Sequence, residues 1–592
     1  MPSAAGKRKL SERLLGPRPA HAAGAALVLT FLGITLIWPL LDVVAAGFTT
    51  SEGAFTLDYL RLVMADPMLL GGLAKSLTIA CATTFVALGL ALPLSVLATR
   101  YEFPGRRACA ALLLVPMVLP PFVGAIGVRL LLGRFGPLTQ LFGVERPLGI
   151  DWLGSLRISG VVLVEALSLY PIIFLNLQAA LANVDPLLER AAHNLGATRW
   201  QVFWRVTFPL VRPGIFAGCT LVLIWSFTEL GTPLMFNVYD VTPVQIFSHI
   251  TELDNPLPYA LVVVTLVCSS LLYVVGRLLL GGAPRVQATK SANRASRRVL
   301  TGAPACLALA PFCAVLSLAA LPNLSVVLIS VSETGAWYRS LLPRDYTSLH
   351  FLSALEDELV MPSLRHGEFQ LGAVGNSIAY AAVATLIGTA VALGVALVVG
   401  RSRVPWRSLV DVLSMLPLAV PGLVMAFGYL SLSSQFRRAF GESTPAWLDV
   451  QRFPVVLLIL AYAARRLPYV VRSAAAGLEQ VPIDYERAAA NLGAGSARVL
   501  ARIVFPLISA SVLAGALMAF VFAMLEVSDS LILAQSAEFF PITRAIWELS
   551  QRLGDGLYVA SALGVWAMVL LALTLGVASN LLGKRAGAMF RV

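Results

Sequence analysis

Long apolar stretches alternate with short polar ones along most of the 592-residue chain. Since about 20 apolar residues in a helix cross a bilayer, the pattern predicts twelve membrane-spanning helices. These predicted spans lie near residues 25–47, 73–99, 108–132, 158–181, 213–235, 258–281, 299–331, 371–400, 409–433, 454–477, 509–535 and 557–582.

The bulk composition agrees with this pattern. Hydrophobic residues make up 58% of the chain and charged residues only 13%, and the mean hydropathy is +0.81. Soluble proteins are far less apolar. The sequence therefore predicts an all-α polytopic membrane protein built from two homologous six-helix bundles, for the reasons given below.

The first apolar stretch follows a polar, basic segment, residues 1–24. A cleavable signal peptide is the alternative interpretation, because small residues follow at Ala45, Ala46 and Gly47. The stretch is as long as a bilayer is thick and longer than the apolar core of a signal peptide. We therefore expect the first span here, with the N-terminus in the cytoplasm.

The formal net charge of +12 comes from Lys and Arg residues in short segments between spans. This spread matches the positive-inside rule and not the single basic face of a nucleic-acid-binding protein. The predicted topology places both termini in the cytoplasm. The inward segments contain Arg100, Arg106 and Arg107; Arg285, Lys290, Arg294, Arg297 and Arg298; Arg401, Arg403 and Arg407; and Lys584, Arg585 and Arg591.

One polar segment occurs twice. Residues 181–218 and 478–515, aligned without a gap, agree at 17 of 38 positions. Each copy contains Glu-Arg-Ala-Ala, an Asn-Leu-Gly-Ala turn and a closing Phe-Pro-Leu. We call residues 185–209 the first repeated loop and residues 482–506 the second repeated loop.

Each repeated loop is predicted to form a helix, a turn and a second helix. The first helix should begin after Pro186 or Pro482, with its glutamate near the N-terminus. A glycine then stands where the chain needs a left-handed residue to reverse, and the next helix should begin near Thr198 or Ser496. We expect Pro209 and Pro506 to stop or kink that second helix. An amphipathic helix lying on the membrane surface is the simpler alternative.

Further repeats divide the chain into two halves. Ser76, Arg100, Pro116, Pro120 and Gly127 match Ser377, Arg401, Pro417, Pro421 and Gly428 at an offset of 301, whereas the repeated loops match at 297. A net four extra residues in the first half, between about 128 and 165, account for the difference. Six spans separate equivalent points, so the repeat is parallel, with a path expected between the bundles. The predicted parts are a cytoplasmic tail (1–24), a first transmembrane domain (25–281), a cytoplasmic linker (282–298), a second transmembrane domain (299–583) and a second tail (584–592).

The repeated loops resemble the cytoplasmic coupling loop of ABC importer permeases. That loop contains Glu-Ala-Ala, three residues, Gly, nine residues, Ile, one residue and Leu-Pro. This chain has an additional Arg after the Glu, and Phe-Pro replaces the aliphatic ending. The resemblance implies that each loop docks on a separate ATPase subunit, through Glu189, Arg190, Ala191, Ala192, Gly196 and Pro209 in the first loop and Glu486, Arg487, Ala488, Ala489, Gly493 and Pro506 in the second.

The fused plan of two permease domains is similar to the importers of ferric iron, thiamine, polyamines and aminophosphonates. Phe227-Thr-Glu229-Leu-Gly231-Thr-Pro233 and the run from Tyr462 to Arg472 look most like the ferric iron group. The resemblance implies alternating access in a bacterial inner membrane. The implied partners are two ATPase subunits, which bind the ATP, and a periplasmic binding protein, with membrane lipid around the chain and no intrinsic cofactor.

Three acids fall inside predicted spans, where a charge is costly. Glu229 and Glu526 occupy equivalent positions, and Asp529 follows the second. Together they could form a negative ring along the translocation path that attracts a cation. The alternative is that each acid binds a backbone donor or a nearby arginine.

A second hypothesis concerns the arginines of the tenth span, Arg465 and Arg466. One of them could pair across the bundles with Glu165 of the fourth span. Snorkelling of the arginines to the cytoplasmic interface is the commoner explanation. Two polar outer segments, residues 49–70 and 332–370, are either caps on the bundles or contacts for a solute-delivery protein.

Nothing in the sequence indicates covalent catalysis. It lacks the GxxxxGK[ST] loop of P-loop ATPases, so the chain would depend on a partner for ATP hydrolysis. The six cysteines lack CxxC spacing and the five histidines are scattered singly, so no metal site is predicted. A secondary transporter that relays protons or sodium through Glu229, Glu526 and Asp529 is the alternative from a different class, but it leaves the paired loops unexplained.

Overall fold

The computed structural model describes residues 19–49, 54–118, 121–133, 136–137, 157–250, 255–280, 298–337, 340–361, 363–365, 368–402 and 404–582. The all-α polytopic prediction is confirmed. The α-helices are Pro19–Leu32, Trp38–Gly47, Asp58–Ala65, Pro67–Arg100, Arg106–Leu112, Val115–Val118, Pro121–Leu131, Ile158–Ala182, Pro186–Asn194, Arg199–Val202, Phe208–Phe227, Gly231–Met235, Thr242–Ser248, Leu257–Leu280, Ala303–Ser330, Leu349–Glu356, Gly372–Arg401, Arg407–Met415, Gly422–Phe440, Val455–Glu479, Ile483–Asn491, Ser496–Val499, Phe505–Met524, Ser528–Leu533, Ile542–Gln551 and Gly556–Leu582.

Short elements complete the described chain. Turns of π-helix lie at Gly33–Ile37, Phe203–Thr207 and Leu500–Val504, and 3-10 turns at Leu416–Leu418, Gly441–Ser443, Ala446–Leu448 and Ala537–Phe539. Strand Tyr101–Glu102 pairs in parallel with Arg298–Val299. Strands Ser363–Arg365 and Glu368–Gln370 form an antiparallel hairpin in the outer segment 332–370.

Within the described residues, nine helices are long and apolar enough to cross a membrane, and two further helix pairs are bent at a break, by 90° and 102°. The bent pairs are Arg106–Met117 with Pro121–Leu131, and Arg407–Leu418 with Gly422–Ser443. Helix Val455–Glu479 is also long enough, but it carries Arg465, Arg466 and Arg472. With that helix, every one of the twelve predicted spans has a helical counterpart.

Two predicted spans end earlier than expected. The helices Phe208–Phe227 and Phe505–Met524 stop, and the short helices Gly231–Met235 and Ser528–Leu533 follow after a break. Glu229 and Glu526 therefore lie at the breaks and not inside continuous helices. Apolar composition continues across both breaks, so the sequence pattern alone does not show them.

The structure divides into two compact units. The second-half unit takes its described residues from 19–55, 357–545 and 569–582, and the first-half unit takes its own from 56–356 and 546–568. Each unit therefore contains a helix that comes from the other half of the sequence. The linker and both tails of the predicted domain plan lie outside the described residues, except for 19–24 and Arg298, and the domain boundaries stay predictions.

In the second-half unit, the chain's first span packs on the bent pair. The Tyr429 hydroxyl donates to the Thr35 carbonyl at 2.5 Å, and the Ser431 hydroxyl donates to the Asp42 carboxylate at 2.5 Å. A Cβ at Gly428 would lie 2.7 Å from the Pro39 carbonyl oxygen. Such close approach through a small residue is how membrane helices associate without a hydrophobic driving force.

The first-half unit repeats this arrangement. Helix Ala303–Ser330 packs against Pro121–Leu131, and Gly127 faces Pro322, whose carbonyl oxygen a Cβ at Gly127 would overlap. Gly127 and Gly428 are the glycines that match in the sequence repeat. Their equivalence therefore reflects a shared packing site for the helix supplied by the other half.

Candidate functional site

The first repeated loop folds as predicted up to its turn. Helix Pro186–Asn194 is capped by the Asp185 side chain, which accepts from the Leu187 N–H at 2.9 Å. Gly196 adopts a φ of 85°, which only glycine tolerates freely. A capping box of Thr198 and Gln201 then begins the next helix. These local signals hold the two short helices in a defined relation.

The turn is closed by backbone hydrogen bonds. The Gly196 N–H donates to the His193 carbonyl at 2.9 Å, and the Ala197 N–H donates to the Ala192 carbonyl at 3.1 Å. This pair of bonds is the Schellman pattern. Ala192 thus serves the turn through its backbone.

The second repeated loop has the same turn. Gly493 has a φ of 84°, its N–H donates to the Ala490 carbonyl at 3.0 Å, and the Ala494 N–H donates to the Ala489 carbonyl at 3.0 Å. Helix starts differ from the first loop, since neither Pro482 nor Gly495 supplies a side-chain cap. The glycine turn is therefore the geometry that the two repeated loops share.

The expectation that the closing prolines stop the second helix was wrong, while the alternative of a kink stays a prediction. Pro209 and Pro506 do not end the second helix: Arg199–Phe227 and Ser496–Met524 each form one long helical run. Each proline stands in the first turn of an α-helical stretch, directly after a π-helical turn. In that position the missing N–H of proline interrupts little, because the change from π to α bonding already leaves donors without helical partners.

Both loop glutamates face an arginine at the end of a long helix. In the first loop, Arg100 at the end of helix Pro67–Arg100 forms an ion pair with Glu189. The Thr207 hydroxyl also donates to Glu189, at 2.5 Å. The Glu189 side chain is only 19% exposed.

The second loop repeats the ion pair with other supporting bonds. Arg401, at the end of helix Gly372–Arg401, donates to Glu486 at 2.7 Å, and the Glu486 side chain is 22% exposed. Arg401 also donates to the Leu478 and Val481 carbonyls, at 3.0 and 2.8 Å. Each glutamate therefore fastens its loop to the preceding long helix, while docking on a partner stays a prediction for both.

Other loop residues present the exposed surface. Arg190, Ala191 and Ala488 are exposed, and Ala489 is half-buried. Arg487 is half-buried and pairs with Asp484 at 3.2 Å. The most exposed apolar side chains of the two repeated loops are Leu195 and Leu492, at 88% and 89%.

These observations add residues that the sequence interpretation missed. Arg100 and Arg401 match at the 301 offset, which was the available signal for their shared role. Leu195 and Leu492 also match between the loops, but a repeated leucine is as often buried as exposed. Only the structure shows that both leucines project from the loop surface.

The acids predicted to line a path have different environments. In the second-half unit, Arg465 forms ion pairs with Glu526 and, at 3.5 Å, with Asp529, and Arg466 pairs with Glu526. Glu526 and Asp529 are almost fully buried. For these two acids the structure matches the alternative of arginine partners, so they carry little net negative charge.

The first half of the sequence has other residues at the positions of the two arginines. The positions that match Arg465 and Arg466 are Ser168 and Leu169. Glu229 is half-buried at its helix break. Its role in a path stays a prediction.

Glu165 has its own polar partners in the first-half unit. It accepts hydrogen bonds from Thr83, at 3.3 Å, and from Ser226. Arg465 and Arg466 have their own acidic partners within the second-half unit, and a Glu165 pair with either arginine stays a prediction.

A group of three or more metal-binding side chains is absent from the described residues.

Comparison with known proteins follows the two halves. A family model described as a binding-protein-dependent transport system inner membrane component matches residues 91–281 and 369–586. The ferric transport system permease protein FbpB of Actinobacillus pleuropneumoniae is 28% identical over 479 residues, which cover 79% of this chain and 64% of that protein.

Two further relatives show the range of the similarity. A putative ferric transport system permease protein, FbpB 1 of Haemophilus influenzae, is 27% identical over 479 residues. These residues cover 80% of this chain and 70% of that protein. A probable molybdenum ABC transporter permease protein of Haloferax volcanii is 34% identical over 251 residues, covering 42% of this chain and 88% of that protein. Since the family model covers more than half of the chain and occurs once in each half, the chain belongs to the binding-protein-dependent inner membrane components, the permeases of ABC importers.

Proposed function

We propose that the chain is the membrane-spanning subunit of an ATP-driven importer that works with two ATPase subunits and a periplasmic binding protein. The observation that carries this proposal is the pair of repeated loops, each with the same glycine turn and the same arginine–glutamate attachment. Two equivalent loops fit two equivalent ATPase subunits. The cytoplasmic placement of the loops and of both termini is part of the proposal.

The attachment explains how a loop could transmit motion. A push on the first repeated loop reaches helix Pro67–Arg100 through the ion pair between Arg100 and Glu189. The same push reaches Phe208–Phe227 directly, because the loop's second helix continues into it. Each loop therefore acts on two long helices at once, as alternating access driven from outside the membrane requires.

Replacement of both turn glycines by valine tests the coupling. In the Gly196→Val, Gly493→Val variant, each β-branched residue must adopt a positive φ, which costs about 1–2 kcal/mol or more per site. Open space surrounds both positions, so the strain acts on the turn and not on packing. We expect ATP hydrolysis by the reconstituted complex to continue while solute transport is lost.

The matched control replaces both glycines by asparagine, which accepts the left-handed conformation far better than valine does. That variant should keep most of the transport. Full transport by the valine variant would show that the turns do not couple hydrolysis to transport. Uptake by vesicles that contain no ATPase subunit would instead favour an ion-coupled secondary transporter.

We propose ferric iron as the solute. Support comes from the two relatives named as ferric permeases, which match 79% and 80% of this chain, whereas the molybdenum relative matches 42%. Thiamine, polyamines and aminophosphonates remain alternatives from the resemblance to fused permeases.

An oxyanion is the second candidate solute. Relatives that match only part of this chain are named for molybdenum, sulfate and 2-aminoethylphosphonate transport. Uptake of radioactive iron, molybdate and sulfate by cells with and without the chain separates the candidates. Iron uptake that depends on the chain supports the proposal, and uptake of an oxyanion alone contradicts it.

A further inference from the structure

A cavity of about 260 Å³ lies beside the first repeated loop, entirely within the first-half unit. Its wall includes Arg100, Arg190 and Arg298, together with His193 and Glu189. Three arginines around one small cavity are unusual, because like charges repel unless an anion lies between them.

The charge balance leaves two of these arginines without a counter-charge. Glu189 is already held by Arg100 and by the Thr207 hydroxyl, so this acid and this arginine offset each other. In the described part of the chain, no carboxylate lies within ion-pairing distance of Arg190 or Arg298. Both guanidinium groups therefore remain available to an anionic ligand.

Backbone pairing holds Arg298 at the cavity. Residues 298–299 form the parallel strand pair with Tyr101–Glu102, with Arg298 opposite Tyr101, and the Leu300 N–H donates to the Glu102 carbonyl at 2.9 Å. Arg190 is held by a helix whose N-terminus is capped by Asp185. The two arginines are thus positioned by two different elements, a paired strand for Arg298 and a capped helix for Arg190.

Thr99 and Tyr101 add hydroxyl groups to the wall, and the remaining part is apolar. Leu181, Val184 and Pro186 contribute to it, at the end of helix Ile158–Ala182. Helix Pro67–Arg100 also ends at the cavity, so the cavity lies at the ends of two helices that are long and apolar enough to cross a membrane. An apolar wall beside guanidinium groups at this level matches a phosphate group attached to acyl chains.

The same loop exposes two tryptophans, Trp200 and Trp204, at 69% and 45%. Tryptophan is enriched where a protein crosses the boundary between membrane and water. The second repeated loop has Ala497 and Ala501 at these positions, Ala490 in place of His193, and an Arg487 that is already paired with Asp484. The features of the cavity are therefore particular to the first half.

We propose that this cavity binds a phosphate-bearing anion between Arg190 and Arg298, either the headgroup of an acidic phospholipid or free phosphate. Arg bonds phosphate oxygens in pairs with good geometry. The lining of arginine and apolar residues favours the lipid. The two sources share the same chemistry, and the experiment separates them.

The test uses the purified full-length chain in nanodiscs of phosphatidylcholine, with or without phosphatidylglycerol. Native mass spectrometry counts the phosphatidylglycerol molecules retained, and thermal unfolding reports stabilisation by phosphatidylglycerol or by inorganic phosphate. We compare the native chain with Arg298→Gln, Arg298→Lys and the control Arg407→Gln. Arg407 is an exposed arginine at the start of helix Arg407–Met415, so its loss removes the same charge elsewhere.

We expect Arg298→Gln to lower the affinity about tenfold, as the loss of a charge-assisted hydrogen bond predicts, while Arg298→Lys retains part of it and Arg407→Gln retains all of it. Stabilisation by phosphatidylglycerol alone identifies the lipid headgroup, and stabilisation by inorganic phosphate alone identifies the free anion. Equal losses in Arg298→Gln and Arg407→Gln, or no binding of either probe by the native chain, would overturn the proposal. Unfolding of each variant in phosphatidylcholine alone shows whether the fold is intact.

Discussion

Whether the charge of a buried acid is balanced in this protein depends on whether an arginine lies beside it. Glu526 and Asp529 balance Arg465 and Arg466, so the four side chains have no net formal charge. Removal of one member leaves an unbalanced charge in a buried place, which typically costs about 3–5 kcal/mol. Glu229 is the first-half equivalent of Glu526, and the positions that match Arg465 and Arg466 in that half are Ser168 and Leu169.

We therefore predict that Glu526→Gln lowers the thermal unfolding midpoint of the protein in detergent. Glutamine keeps the shape of the side chain but leaves one positive charge unbalanced in the second-half unit. Addition of Arg466→Gln to Glu526→Gln restores the charge balance and should recover part of the loss. An unchanged midpoint in Glu526→Gln, or no recovery in the double variant, would show that the arginine pair does not determine stability at this site.

The direction in which a side chain points could not be predicted from the sequence. The equivalence of Glu189 and Glu486 follows from the repeat, and the positive φ of Gly196 and Gly493 follows from the need to reverse the chain. That both carboxylates point to an arginine at the end of an earlier helix does not follow, because the partners lie more than eighty residues away. The loop glutamates therefore looked like docking residues, although each is mostly covered.

Helices are predictable here where composition changes and unpredictable where it does not. The long spans follow from apolar length, since backbone groups in lipid must bond within the helix. The breaks near Glu229 and Glu526 interrupt apolar runs without a change in composition. Their polar backbone groups are satisfied locally: the Glu526 carbonyl accepts from the Ser530 and Thr543 hydroxyls, at 2.5 and 2.7 Å. The acids inside these apolar runs were interpreted as charges on a path or as partners of a backbone donor or an arginine, and neither interpretation predicts a break.

The closing prolines show the opposite case, in which the sequence suggested a helix end that the structure does not have. Pro209 and Pro506 suggested the end of a helix, but each follows a π-helical turn and begins a regular α-helical stretch. A π turn has no simple residue signature, so the sequence could not distinguish this arrangement from a helix end.

For the molecule as a whole, each of the two units is assembled with a helix that comes from the other half of the sequence. Pro39 packs at Gly428 in the second-half unit, and Pro322 packs at Gly127 in the first-half unit. Apolar length cannot show which span packs on which, since all spans are alike in this respect. The sequence repeat therefore indicated two halves, while the close contacts show that each unit needs a helix from the other half.

This exchange predicts how the chain behaves when it is divided. Residues 1–290 and 291–592, expressed separately, should each be degraded or aggregate. The second-half unit then lacks the chain's first span, and the first-half unit lacks helix Ala303–Ser330 and residues 546–568. Expressed together, the two pieces should assemble, and an affinity tag on one should recover the other from detergent extracts. A piece of residues 1–331 retains helix Ala303–Ser330, so its first-half unit should resist proteolysis better than that of residues 1–290. Equal protease resistance of these two N-terminal pieces, or two halves that are stable apart and do not copurify, would show that the exchanged helices contribute little to assembly.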